Sequence, residues 1–101
     1  MLLMKKQFFD AIRTGQKTTT LRYWRRRMVA PGSVHRVRGL GRVQIDSVAE
    51  VAAADLTDAN AQADGFDTLA QLTETLDTLY PPADRQDRRL YKVSFIFLPG
   101  D

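Results

Sequence analysis

The first apolar pattern along the chain has a helical period. Around KKQFFDAIRTG, the positions Met4, Phe8, Ala11 and Ile12 fall at i, i+4, i+7 and i+8, which places them on one helix face. Gly15 stands where a left-handed C-cap residue belongs. The period then shortens. KTTTLRYW is β-branched and aromatic and predicts a strand. Residues 29–32, VAPG, are a turn signal, SVHRVRG predicts a short strand, and Gly39-Leu40-Gly41 a hairpin-type connection. RVQIDSVAEV alternates, with Val43, Ile45, Ser47, Ala49 and Val51 on one face and Gln44, Asp46 and Glu50 on the other.

Helical spacing returns in the middle of the chain. Thr57 is an N-cap candidate for a short alanine-rich helix that Gly65 would end. In FDTLAQLTETLDTLYPP, Leu69, Leu72, Leu76 and Leu79 recur at steps of 3, 4 and 3; Asp67 is the expected cap and Pro81-Pro82 the stop. That leucine stripe reads as core. After a polar loop, LYKVSFIFL has Tyr91, Val93, Phe95 and Phe97 on one face and Ile96 and Leu98 on the other, the pattern of a strand interior to a sheet. The order helix, strand, strand, strand, helix, helix, strand predicts an α+β fold with a small, mostly antiparallel sheet. Four or five short strands would curl towards a barrel to hide their edges.

Composition narrows the chemistry. A length of 101 residues predicts one domain, 1–101, with a modest core. The absence of cysteine excludes disulfides, thiolate zinc sites and cysteine nucleophiles, and one histidine makes a metal site an unpromising expectation. No metal or cofactor is expected. MLLMKK has the wrong order for a signal peptide, and no stretch approaches the roughly 20 apolar residues of a membrane span. A cytoplasmic monomer is the expectation.

Charge changes the picture more. The net charge is +3, but residues 1–43 carry eleven Lys or Arg against one acid, and residues 44–84 carry nine acids and no base. Such a dipolar chain either presents a basic face to an anionic partner or pairs its two blocks internally.

The basic block contains the candidate chemistry. On a strand, Thr18, Thr20, Arg22 and Trp24 share one face and Thr19, Leu21 and Tyr23 the other. The first set could bind phosphate through Arg22 and stack a base on Trp24, with Arg25, Arg26 and Arg27 as a phosphate-tracking patch. The alternative is a solvated edge strand with threonines chosen for β propensity. Lys17, with its pKa lowered by neighbouring arginines and burial, could act as a base towards the Thr20 hydroxyl, with a carboxylate from the acidic block completing the set. Strict alternation puts positions 17 and 20 on opposite faces, so they converge only if Lys17 sits in the turn before the strand. The usual role of such a lysine is to partner a helix C-terminus. His35 is assigned no role.

Taken in order, FFDAIRTGQKTTTLRYW, PGSV, GRVQIDSVAEV, DGFDTLAQL, LYPP and LYKVSFIF resemble the ASCH (activating signal cointegrator homology) domain family over roughly residues 3–98. The most specific piece is G-x-K-T-x-T-x-R, matched by Gly15, Lys17, Thr18, Thr20 and Arg22. The resemblance implies a PUA-like fold, a small mixed, mostly antiparallel β-barrel with flanking helices. It also implies binding of RNA, a nucleotide or a modified nucleoside in a basic cleft beside the K-T-x-T-x-R strand. One branch of the family comprises amidohydrolases that deacetylate acetylcytidine with a lysine, a threonine and a glutamate. By position these correspond to Lys17, Thr20 and, with a carboxylate one methylene shorter, Asp64. Other members are ribonucleases. The W-R-R-R segment from Trp24 to Arg27 departs from the amidohydrolase branch.

Overall fold

The computed structural model describes residues 2 and 4–99. Four strands form one antiparallel sheet, β1 (Thr19–Trp24), β2 (Val34–Val37), β3 (Gly41–Glu50) and β4 (Arg89–Leu98), in the spatial order β1-β4-β3-β2. The last strand in sequence is therefore interior, as its two apolar faces predict. The sheet is curled into a half-barrel, with β1 and β2 as its edges.

Helix α1 (Phe9–Thr14) follows a 3-10 turn at Lys6–Phe8 and ends at Gly15, whose φ of 83° lets its N–H reach the Ile12 carbonyl. The tighter first turn shifts the helical phase, so Phe9 and Ile12 enter the core while Phe8 is left half-buried. Helix α2 (Asp58–Ala63) is capped by Thr57 in a reciprocal box with Asn60. Helix α3 (Leu69–Leu79) is capped by Thr68, which accepts from the Gln71 N–H; the predicted cap, Asp67, instead donates its own N–H to the Gln71 side chain. Thr68 wins because its extended backbone stands next to the first helical residue.

The core has two parts, one on each face of the sheet. Val43, Ile45, Tyr91, Val93 and Phe95 pack with Phe9 and Ile12 of α1. Leu21, Tyr23 and Leu90 pack with Ala61 of α2 and Leu72 and Leu76 of α3. Strand β3 departs from its predicted alternation. The ladder pairs Ile45 with Phe95 and Ser47 with Ser94, leaving Asp46 as the extra residue of a bulge. Beyond it the faces exchange. Val48 is buried with Val43 and Ile45, whereas Val51 packs with the α2 and α3 cluster.

Candidate functional site

Because β1 is an edge strand, one side of it has no strand neighbour. A cavity of about 280 Å³ lies along that side, just under the roughly 300–1,000 Å³ of common ligand pockets. Its strand side is Thr20, Leu21 and Arg22. The turn before α1 contributes Met4, Gln7 and Phe8; α3 and its C-cap contribute Leu72, Thr75, Leu76, Leu79 and Tyr80. Lys17, Asp64 and Phe66 close one end.

Lys17 lies in the extended segment before β1, where a strict strand alternation no longer applies. It reaches the same cavity as Thr20. Its side chain is only 4% exposed and that of Asp64 7%. Lys17 Nζ donates to Asp64 Oδ1 at 2.9 Å, to the Asp64 main-chain carbonyl at 2.6 Å and to the Thr19 carbonyl at 2.8 Å. Three donors meet three oxygens, which is the full capacity of an ammonium. The Phe8 ring, 4.7 Å from Nζ, adds a cation–π contact.

Burial pushes Lys17 below its ordinary pKa, against the attraction and hydrogen bond of Asp64, and Arg22 pushes the same way as burial. Burial lifts Asp64 above the usual carboxylate range, against Lys17, Arg22 and a hydrogen bond from the Leu21 backbone. The two shifts bring the proton affinities of the pair closer together. The three-oxygen cradle around Nζ fits the ammonium form, so the pair is ionic at rest.

Arg22 forms the second polar group. Its Nε donates to Thr20 Oγ1 at 2.9 Å, and Nη2 rests 3.7 Å from Met4 Sδ. Thr20 is thus oriented by Arg22, while the Lys17 donors go to Asp64 and Thr19. Burial lowers the pKa of Arg22, opposed by Tyr80 and Asp64, yet a guanidinium stays charged.

The structure therefore brings Lys17, Thr20, Arg22 and Asp64 to one cavity and leaves other sequence candidates outside it. Thr18 is exposed; its N–H donates to the Ala63 carbonyl and its carbonyl accepts from Phe95. Trp24 shares the Thr20 and Arg22 face but packs on the core beside Tyr91, with ring centroids 5.9 Å apart. Arg25, Arg26 and Arg27 are exposed after β1, and Arg25 pairs with Asp87 at 2.8 Å. The α3 leucines, read from sequence as core alone, are also wall. Leu72 and Leu76 are buried, while Leu79 is 47% exposed at the cavity. Phe8 reads from sequence only as part of the apolar face of the first helix, and Phe66 and Tyr80 carry no site reading there. The signal available was Phe66 in the DGF motif and Tyr80 at the helix end, each next to a chain break in direction.

The basic and acidic blocks meet inside the fold at Lys17–Asp64, and Arg89–Glu50 joins the C-terminal bases to the acidic block at 3.1 Å. Among the described residues, no group of three or more His, Cys, Asp or Glu is placed to hold a metal ion, and no helix is long and apolar enough to cross a membrane.

This half-barrel with its flanking helices is the PUA-like fold of ASCH domains. The ASCH domain from Lactobacillus crispatus JV V101 superposes with a TM-score of 0.72 at 18% identity, covering 87% of this chain and 68% of that one. The hypothetical protein PH0355 gives 0.77 at 13% identity, covering 93% and 94%. Protein EF3133 from Enterococcus faecalis V583, of the family DUF984, gives 0.67 at 16% identity, covering 94% and 74%. No family model matches the sequence, and no curated protein matches it.

Proposed function

We propose that the chain binds RNA, a nucleotide or a modified nucleoside, and that one base or nucleoside enters the β1-edge cavity. The observation that carries this is the joining of an aromatic and aliphatic enclosure, Phe8, Phe66, Tyr80 and the α3 leucines, to a charged end made of Arg22 and the Lys17–Asp64 pair. A base needs an apolar slot for its faces and a few fixed polar groups for its edge or its phosphate. Arg22 is suited to the phosphate or carbonyl. A guanidinium fork matches the oxygens of either group, and one of the Nη2 contacts, the Met4 thioether, is a weak acceptor that a ligand oxygen would replace. Arg26 and Arg27, exposed beyond β1, would extend the contact along a longer strand. Calorimetric titration with nucleosides, their monophosphates and short RNA tests the reading. Binding of at least one class, weakened 10-fold or more by Arg22→Met, is expected; no binding across the panel would remove it.

A second reading, an amidohydrolase acting on an acylated nucleoside such as acetylcytidine, is favoured by one observation. A buried Lys17–Asp64 pair with convergent proton affinities stands in the same cavity as the Thr20 hydroxyl. In that reaction a water positioned by Thr20, or Thr20 itself, attacks the amide carbonyl, the C–N bond breaks, and the amine leaves with the nucleophile's proton passed through the pair; where Thr20 attacks, water then hydrolyses its acyl ester and frees the acid. The geometry at rest gives Thr20 to Arg22, so Lys17 would first have to release a proton to Asp64 before acting as a base. Incubation with acetylcytidine decides the matter: cytidine released by wild type and not by Lys17→Ala supports it, and none released by wild type ends it.

A further inference from the structure

Met4 stands at the charged end of the β1-edge cavity. It is half-buried, packs against the α1 side of the core and lines the opening beside Phe8. Its Sδ lies 3.7 Å from Arg22 Nη2, and the same guanidinium donates through Nε to Thr20 Oγ1 at 2.9 Å. The thioether is thus both a piece of apolar wall and a weak acceptor.

Among the lining residues it is also the one group that a mild two-electron oxidant converts. Lys5, Gln7 and Leu79 are exposed lining residues, so the cavity opens to solvent and a peroxide can enter. The sulfur lone pair takes one oxygen of hydrogen peroxide as the O–O bond breaks, and the other oxygen leaves as water with both protons. Sulfur is oxidised by two electrons and the peroxide is reduced by two.

The geometry suits the product. An S–O bond of about 1.5 Å and an N–H···O bond of about 2.9 Å, meeting at about 110–120°, span roughly 3.7–3.9 Å from sulfur to nitrogen. Met4 and Arg22 already stand 3.7 Å apart, so a small turn of an unbranched side chain seats the oxygen on Nη2. Arg22 keeps its bond to Thr20.

We propose that Met4 is a reversible oxidation site that controls the cavity: its sulfoxide oxygen takes Arg22 Nη2 in a charge-assisted hydrogen bond and competes with the ligand for that guanidinium. A thioether yields to a ligand oxygen, whereas a sulfoxide oxygen is an acceptor of comparable strength. Reduction by a methionine sulfoxide reductase restores the open state. Met28 is 56% exposed and lies outside the cavity, so its oxidation has no such effect. The control of binding rests on the nucleotide reading of the cavity; the bond from Arg22 to the sulfoxide does not.

The test treats the full chain with hydrogen peroxide and maps the sulfoxides by mass spectrometry. Nitrogen-15 NMR of the Arg22 guanidinium reads the Met4 contact, and titration with the ribonucleoside 5′-monophosphates reads the ligand. Oxidation at Met4 should slow hydrogen exchange at Arg22 Nη and weaken monophosphate binding, each by about 5-fold or more, and sulfoxide reductase should reverse both. Met28→Leu should respond as wild type does, and Met4→Leu should lose both responses. Met4→Gln, which carries a strong amide acceptor, should resemble the oxidised protein without peroxide. Unchanged Arg22 exchange after oxidation at Met4 would overturn the proposal. So would retained affinity, or a Met4 that stays reduced while Met28 is fully oxidised. Absence of monophosphate binding by untreated wild type would end the control of binding together with the nucleotide reading, while slowed Arg22 exchange would still establish the sulfoxide contact.

Discussion

Asp64 holds Lys17 twice, through its carboxylate at 2.9 Å and through its own main-chain carbonyl at 2.6 Å. The first contact is electrostatic and the second fixes the end of α2 against β1. One residue thus sets both the charge and the shape of the closed end of the cavity.

Breaking this pair from one side leaves a buried charge without compensation. Asp64→Ala or Lys17→Ala is expected to destabilise the fold by about 3–5 kcal/mol, a large share of the total for a small domain. Lys17→Met/Asp64→Asn together should cost less than the sum of the single changes. Urea denaturation reads both quantities, and strictly additive losses would show that the pair is not coupled.

The pair also has a pH signature. Lys17 titrates below 10.5 in the folded chain, so over the window beneath 10.5 the unfolded chain binds more protons and stability rises with pH. Asp64 titrates above 3.8 when folded, so just above 3.8 the folded chain holds more protons and stability falls as pH rises. Subtracting the pH profile of Lys17→Met/Asp64→Asn from that of wild type isolates these two slopes from the other carboxylates. A difference profile of the opposite sign in either window contradicts the burial argument.

Gly65 governs the aromatic wall. Its φ is 97°, and an added Cβ would lie 3.0 Å from the Phe8 ring and 3.4 Å from Lys17 Cδ. Gly65→Ala should cost about 1–3 kcal/mol and displace Phe8 into the cavity. The measurable result is weaker ligand binding with the charged residues intact; unchanged affinity would mean that Phe8 does not border the bound ligand.

Trp24 is the only tryptophan in the chain, and it packs beside Tyr91 outside the cavity. Saturation with a nucleoside should therefore leave the tryptophan emission maximum where it was. Trp24→Phe should lower stability and spare nucleoside affinity. A saturable emission shift on nucleoside addition would place the ligand against the indole instead.

Much of this arrangement is legible in the sequence for physical reasons. The interior position of β4 follows from its two apolar faces, and the α1 stop from Gly15, because burial and positive φ leave residue-type signatures. The role of Lys17 at the strand entrance is readable only as a condition, since sequence periodicity cannot say where a strand starts to alternate. The rest depends on tertiary contacts with no periodic signature. Thr68 displaces Asp67 as cap by a difference of one residue, and Arg22, on the same strand face, takes the Thr20 hydroxyl for which Lys17 is the sequence's candidate base. The α3 leucines look identical in sequence whether they fill a core or line an opening. Trp24 alternates with the site residues yet lies over Tyr91, because a shared strand face can be covered along only part of its length.

The β3 bulge has a consequence for how this fold can change length. With Asp46 skipped, the ladder already runs from Ile45–Phe95 straight to Ser47–Ser94 and Val48–Val93. Losing one residue from the middle of a long strand ordinarily turns every later side chain inside out. Here a deletion of Asp46 would restore an uninterrupted alternation and leave the interior set in place. What it would remove is the added twist. Curvature in this sheet is thus held by a residue that contributes nothing to the core, and a shortened gene could flatten the half-barrel without erasing it.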